Sequence, residues 1–208
     1  MKKVLCLVLC LCLLVPALAC AARKVITAMA YEFNSGVPRS ADVYARIQGY
    51  DASSNTLTMD IYVPERFRRD EVQSLRPGDA IYTQGREIQI KSVTLEADSV
   101  TLNGDLWLWE DTGSSSYTIW DDSNFGCTVN YMGRISVPVT KYLSFVDYTE
   151  PDTGIMLMQP LYYNASQFLS MLDREKRTGV GPGFAADNIT ATFDESGKLI
   201  MLSRYYVY

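Results

Sequence analysis

The chain has 208 residues, a formal net charge of −5 and no histidine. The absence of histidine excludes Ser-His-Asp and Cys-His catalysis, and it excludes zinc sites that depend on imidazole ligands. Phosphate binding needs clustered Lys and Arg, and the one basic cluster of this acidic chain, at residues 66, 68 and 69, lies among acids. We therefore expect no nucleic-acid partner, and in the absence of a glycine-rich phosphate loop we predict no cofactor.

The first nineteen residues have the layout of a secretory signal peptide. Two lysines precede an apolar run over residues 4–15, Pro16 ends that run, and residues 17–19 (Ala-Leu-Ala) form a small-x-small cleavage site. The apolar run is too short to span ~30 Å of hydrocarbon as a helix. We predict that residues 1–19 are removed, and that the remaining chain, with a net charge of −7, is secreted or lies in the cell envelope.

The next residue, Cys20, allows two forms of the new N-terminus, one lipidated and one not. Residues 17–20 (Ala-Leu-Ala-Cys) resemble the lipobox of bacterial lipoproteins, in which the cysteine is lipidated. The sequence departs from that motif at Ala17, where Leu is usual, and at Leu18, where a smaller residue is usual. The resemblance implies a bacterial protein tethered to a membrane by a diacylated Cys20. Simple cleavage after Ala19 or Ala21 would instead release a free domain.

We predict a linker over residues 20–39 and a small β-barrel-like subdomain over residues 40–103. Within the latter, two runs of alternating apolar residues flank the polar turn at residues 51–55, which predicts a hairpin. Residues 66–75 follow as a short helix, and Pro77-Gly78 turns the chain into a further strand. This order of elements resembles small antiparallel barrels of the OB or SH3-like kind. The resemblance transfers no functional residue.

Residues 104–208 are predicted to form a second β-rich subdomain with one helix over residues 164–176, so the whole chain is expected to be mainly β. Asn103-Gly104, between two strand-like runs, predicts a type I′ hairpin turn. Asn164 or Ser166 is expected to cap the helix. A final hairpin over residues 189–201 echoes the first one. Its pattern fits an internal duplication, and also convergence on ordinary hairpin patterning, which we favour.

An aromatic cluster is the candidate ligand-binding site. Trp107 and Trp109 alternate along one strand and therefore share a face, while Trp120 and Tyr117 lie on the next strand-like run. Exposed rings of this kind stack on sugars or on peptide side chains. In the alternative interpretation, which the patterning favours, the indoles form the core of the second subdomain.

Acidic residues and one cysteine offer weaker candidates. A glycosidase needs only two carboxyl groups, and the second half of the chain supplies six in turns: Glu110, Asp111, Asp121, Asp122, Glu150 and Asp152. Asp121, Asp122 and Asn124 could together ligate calcium, but their spacing favours a plain polar turn, and we predict no metal site. Cys127 lies in a strand-like segment and is expected to be a buried thiol.

Together these features predict an exported bacterial protein that is not an enzyme. It would bind an envelope glycan, a peptide or another protein through its aromatic surface or a sheet edge. The alternative is a small hydrolase that depends on carboxylates. A membrane would be contacted only through a lipid at Cys20.

Overall fold

The structure, a computed structural model, describes residues 22–34, 36–111, 113–122 and 126–205. The predicted signal peptide, Cys20 and Asn124 lie outside these residues and stay predictions. Strands account for 51% of the described residues and helices for 11%, which confirms the mainly β prediction. None of the sheets formed by the described residues closes into a barrel.

Seventeen strands and two helices make up the described chain. The strands are β1 (Val25–Thr27), β2 (Phe33–Asn34), β3 (Val37–Pro38), β4 (Ala41–Asp51), β5 (Thr56–Pro64), β6 (Arg66–Arg68), β7 (Ala80–Thr83), β8 (Arg86–Gln89), β9 (Val93–Leu95), β10 (Ser99–Leu102), β11 (Leu106–Glu110), β12 (Ser116–Ile119), β13 (Val129–Pro138), β14 (Ser144–Thr149), β15 (Met156–Asn164), β16 (Ile189–Phe193) and β17 (Leu199–Arg204). The helices are α1 (Arg69–Gln73) and α2 (Ala165–Thr178).

The strands form four sheets. The largest has seven strands in the order β13-β5-β4-β16-β17-β14-β15, and its neighbours are antiparallel except for β17 and β14. A five-stranded antiparallel sheet has the order β6-β12-β11-β10-β9. The two smaller sheets are β1-β7-β8 and β2-β3. The predicted hairpins correspond to β4–β5, β10–β11 and β16–β17, and all three are confirmed.

The larger apolar core lies between the seven-stranded sheet and α2. Period-two burial turns Val43, Ala45 and similar residues of the sheet inward, where they meet Phe168 and Met171 of the helix. Asn164 caps the helix, since its side chain accepts from the Gln167 backbone N–H while Gln167 reaches back to the Asn164 N–H. The predicted helix is therefore confirmed, and it extends two residues further than expected.

A second apolar core lies under the five-stranded sheet. It joins Phe67, Val72, Val100, Leu108 and similar residues, with Ile26 and Ile81 of the three-stranded sheet. The sequence-based boundary at residue 103 stays a prediction, but the two cores group the chain differently. Strands β4 and β5 contribute to the larger core together with the C-terminal strands, whereas residues 66–119 contribute to the second core.

A buried ion-pair network fastens α2 to the sheet. Arg204 of β17, which is fully buried, donates to both carboxylate oxygens of Asp147 at 3.0 and 2.6 Å and to Glu175 of α2 at 2.8 Å. Its guanidinium lies 5.5 Å from the ring centre of Phe145 and 4.7 Å from that of Phe184. No local sequence pattern indicates this network, because its three charged residues are separated by 28 residues or more along the chain.

Candidate functional site

The outer face of the five-stranded sheet carries the three tryptophans of the chain. On β11, Leu108 points into the core opposite Ile119, so the alternating Trp107 and Trp109 point outward. Trp120 follows β12, and its backbone N–H donates to the carbonyl oxygen of Trp107 at 2.7 Å. This bond places Trp120 across from Trp107 on the same face. We call Trp107, Trp109 and Trp120 the indole surface.

The indole surface is open to solvent. The exposed fractions of Trp107, Trp109 and Trp120 are 49%, 40% and 52%. The rings of Trp107 and Trp109 meet edge to face, with their centres 6.5 Å apart. The indole N–H of Trp120 donates to Asp122 at 3.2 Å, which fixes the direction of that ring. The alternative interpretation, in which the indoles form a core, does not agree with these exposed fractions.

Neutral and acidic polar groups border the indoles. A cleft of about 220 Å³ is lined by Trp107 and Trp109 together with Glu96, Ser99 and Thr101. Strand pairing explains this neighbourhood, because Ser99 lies opposite Trp109 and Thr101 lies opposite Trp107. The Ser99 hydroxyl donates to the Glu96 carboxylate at 3.2 Å. The cleft thus combines aromatic faces with hydrogen-bonding groups on one rigid sheet.

Tyr117, the fourth predicted ligand-binding residue, lies in the second core. Only 1% of its surface is exposed, and it points to the side of the sheet opposite the indole surface. Its hydroxyl accepts a hydrogen bond from the Gln73 side chain at 3.2 Å. Alternation along β12 accounts for the placement, since Tyr117 and Ile119 share the inward face and Thr118 faces outward beside Trp109. Tyr117 therefore has no access to a ligand on the indole surface.

The candidate carboxylates are engaged in ion pairs and turns. Asp111 binds Arg66 at 3.2 Å and accepts from the hydroxyls of Ser116 and Thr118. Glu110 forms an ion pair with Arg69.

Glu150 and Asp152 lie together in the turn after β14. Asp152 binds Arg174 at 3.2 Å. A hydrogen bond from Thr153 lowers the pKa of Glu150 from its usual value. Among the described residues, no group of three or more Cys, Asp or Glu side chains lies close enough to hold a metal ion.

Cys127 is buried, as the strand-like sequence around it predicts. It pairs with Trp120 in an isolated β-bridge at the end of the indole surface. Burial raises the pKa of its thiol, although a hydrogen bond with Tyr44 partly offsets this effect. Both properties favour an unreactive thiol.

Comparison with known proteins gives no match: no family model, no curated protein and no solved structure matches the chain. Within the part of the chain that the structure describes, no helix has the length and apolar character needed to cross a membrane.

Proposed function

We propose that the protein is a non-catalytic binding module that engages a glycan outside the cytosol through the indole surface. The observation that carries this proposal is the exposure of three indoles side by side on one sheet face. Leaving a large apolar side chain in water forgoes roughly 1.5–3 kcal/mol of burial free energy. A contiguous set of exposed aromatic rings is therefore typical of an interaction site.

The chemistry beside the indoles favours a sugar. A pyranose ring presents an apolar face of C–H groups and an edge of hydroxyls, so it needs aromatic surface next to hydrogen-bonding groups. Trp107 and Trp109 provide the first, and Ser99, Thr101 and Glu96 provide the second. Binding sites commonly combine aromatic walls with a few polar groups in this way. A glycan with neutral or cationic groups fits the acidic chain better than a polyanion does.

The predicted leader supports an extracytoplasmic location for this module. A signal peptide over residues 1–19 would deliver the domain to the bacterial envelope or beyond it, and a lipid at Cys20 would hold it at a membrane. The partner would then be an envelope glycan. The resemblance of residues 40–103 to OB or SH3-like barrels transfers no functional residue and plays no part in the proposal.

A polysaccharide pull-down tests the proposal. The mature protein is incubated with insoluble glycans, including peptidoglycan, and the bound fraction is compared with that of Trp107→Ala and Trp109→Ala. We expect at least tenfold weaker binding for both variants with an unchanged melting temperature. Tyr142→Ala is the matched control, because that ring is 67% exposed and lies in the turn between β13 and β14 of the other sheet.

Two outcomes would contradict the proposal. The first is that both tryptophan variants melt at lower temperature while binding as well as the original protein, which would make the indoles structural. The second is that the protein hydrolyses a glycan and that a single acid substitution, such as Asp111→Asn, abolishes the turnover. That result would replace the binding module with the carboxylate-dependent hydrolase.

A further inference from the structure

A groove runs along one side of α2. It consists of an inner cavity of about 380 Å³ and an outer cavity of about 870 Å³, which share Tyr50, Leu169 and Asp173. One stripe of the helix lines both cavities: Ser166, Leu169, Ser170, Leu172, Asp173 and Lys176. At about 1.5 Å of rise per residue, this stripe spans about 15 Å.

Apolar side chains and glycines make up most of the inner cavity's lining, and Gln48, Asp173, Glu175 and Lys176 complete it. The cavity lies between the C-terminal half of α2, the end of β4 and the loop at residues 179–184. Its apolar lining consists of Ile47, Tyr50, Leu169, Leu172, Val180 and Phe184. All but Val180 are partly buried and pack against the larger core. A cavity of this size and composition falls in the range of sites that bind small ligands.

Three backbone N–H groups around the inner cavity are already used. Gly179 donates to the backbone oxygen of Glu175 at 2.9 Å, and Gly183 donates to the Glu175 carboxylate at 3.1 Å. Ile47 of β4 donates to the carbonyl oxygen of Phe184 at 3.1 Å. These N–H groups are therefore not free to bind a peptide backbone. Burying a peptide's N–H and C=O groups here without hydrogen-bond partners would cost free energy. A hydrocarbon chain has no such groups to satisfy.

The walls of the inner cavity are held in place from behind. The Phe184 ring lies between the Arg204 guanidinium, 4.7 Å from its centre, and the Phe168 ring, which meets it edge to face at 5.8 Å. Arg204 in turn is fixed by its two buried carboxylates. The cavity is therefore formed before any ligand arrives, which limits the entropy lost on binding.

Seven of the twelve residues that line the outer cavity are polar or charged, against four of fourteen in the inner cavity, and the charges of the outer cavity balance. Its lining includes neutral hydrogen-bonding side chains: Asn55, Thr140, Asn164, Ser166 and Ser170. The two charged residues, Lys141 and Asp173, have opposite signs. An uncharged head group with several hydroxyls matches this lining better than a carboxylate or an ammonium group does.

We propose that the groove binds a single-chain amphiphile with an uncharged, hydroxyl-bearing head, such as a monoacylglycerol. The acyl chain occupies the inner cavity beside Leu172 and Val180, and the head lies in the outer cavity near Ser166 and Ser170. This site is separate from the indole surface, and it does not depend on the proposed glycan binding.

Calorimetric titration of the mature protein with monolaurin, below the concentration at which it aggregates, tests this proposal. We expect binding of one molecule per chain. Leu172→Trp should weaken it at least tenfold, because the indole fills the inner cavity. Leu95→Trp is the matched control, since Leu95 is 57% exposed on the other sheet and the substitution adds the same ring. Thermal melting checks that each variant is folded.

A second variant keeps the test decisive if Leu172→Trp does not fold. Val180→Trp places the added ring in the loop that closes the inner cavity, where 51% of the valine is exposed, and it should also weaken binding at least tenfold. The proposal is overturned if monolaurin does not bind, or if both cavity variants bind it as well as the original protein. It is also overturned if laurate or an apolar peptide binds tenfold more tightly than monolaurin. Loss of monolaurin binding in Trp107→Ala would assign the amphiphile to the indole surface and refute the groove.

Discussion

The buried network around Arg204 gives the sharpest stability prediction. Arg204→Met keeps most of the side-chain volume but leaves Asp147 and Glu175 without their cation, and these carboxylates are 0% and 5% exposed. Removing one partner of a buried ion pair costs about 3–5 kcal/mol, because the remaining charge is desolvated and unpaired. With a urea dependence of about 2 kcal/mol per molar, the unfolding midpoint should fall by roughly 1.5–2.5 M.

Urea unfolding followed by circular dichroism measures this change. Arg177→Ala is the matched control on α2, the helix that carries Glu175. The side chains of Arg177 and its ion-pair partner Asp173, 3.6 Å apart, are 71% and 75% exposed, so this pair should contribute at most about 1 kcal/mol. The triple variant Arg204→Met, Asp147→Asn, Glu175→Gln removes the charges together and should regain part of the loss. The reasoning is refuted if Arg204→Met and Arg177→Ala shift the midpoint equally.

Three further predictions concern other parts of the molecule. Arg134 donates to both carboxylate oxygens of Asp60 at 2.7 and 3.2 Å and lowers the pKa of that carboxyl. The stability that this pair contributes should therefore be full above the ordinary pKa of aspartate and should be lost as the pH falls through the lowered pKa. NMR titration of the Arg134→Gln variant should find a higher Asp60 pKa than in the original protein. Gly181→Ala should lower the melting temperature more than the control Gly36→Ala. Both glycines have positive φ, so both substitutions strain the backbone. Only at Gly181 would the added Cβ also clash, since it would lie 2.6 Å from the Glu175 side chain, whereas at Gly36 it meets nothing within 4 Å. Deletion of Asp105 should turn Trp107 and Trp109 toward the core, and differential scanning calorimetry should find a lower melting temperature than for Asp105→Asn, which keeps the chain length.

Local patterning predicted the hairpins and the main helix because each depends on residues close together in sequence. Alternation over residues 43–47 and 57–63 sufficed for β4 and β5, and Asn164 marked the start of α2. The assembly of these pieces depends on long-range contacts. Nothing in the local pattern indicates that β4 pairs with β16, or that β14 lies parallel to β17.

The first and last hairpins, which have similar sequence patterns, lie side by side in the seven-stranded sheet. Strands β4 and β16 are neighbours in the seven-stranded sheet and run antiparallel, with Tyr44 opposite Thr190. The repeated pattern aligns these same two residues, so the two hairpins are related by a local two-fold axis through that pair. Period-two burial explains why each hairpin has its pattern, and the pairing explains why both patterns face the same core.

One residue decides whether the tryptophans are buried or exposed. Asn103 and Gly104 have φ values of 59° and 82°, as a type I′ turn requires, and the Asp105 N–H closes that turn on the Leu102 carbonyl at 3.2 Å. A plain two-residue turn would pair Leu102 with Asp105 and would place Trp107 beside Val100 on the core side. Asp105 is instead an additional residue, and Leu102 pairs with Leu106.

This shift of one position exchanges the two faces of β11. The leucines then meet the inward residues of β10, and the indoles meet Ser99 and Thr101 on the outside. Sequence patterning identified the strand and the residues that share a face, but with both faces apolar it favoured the core for the indoles, which their exposure contradicts. The choice between core and surface depends on the hairpin register, and the proposed glycan-binding surface exists only in the register that includes Asp105 as the extra residue.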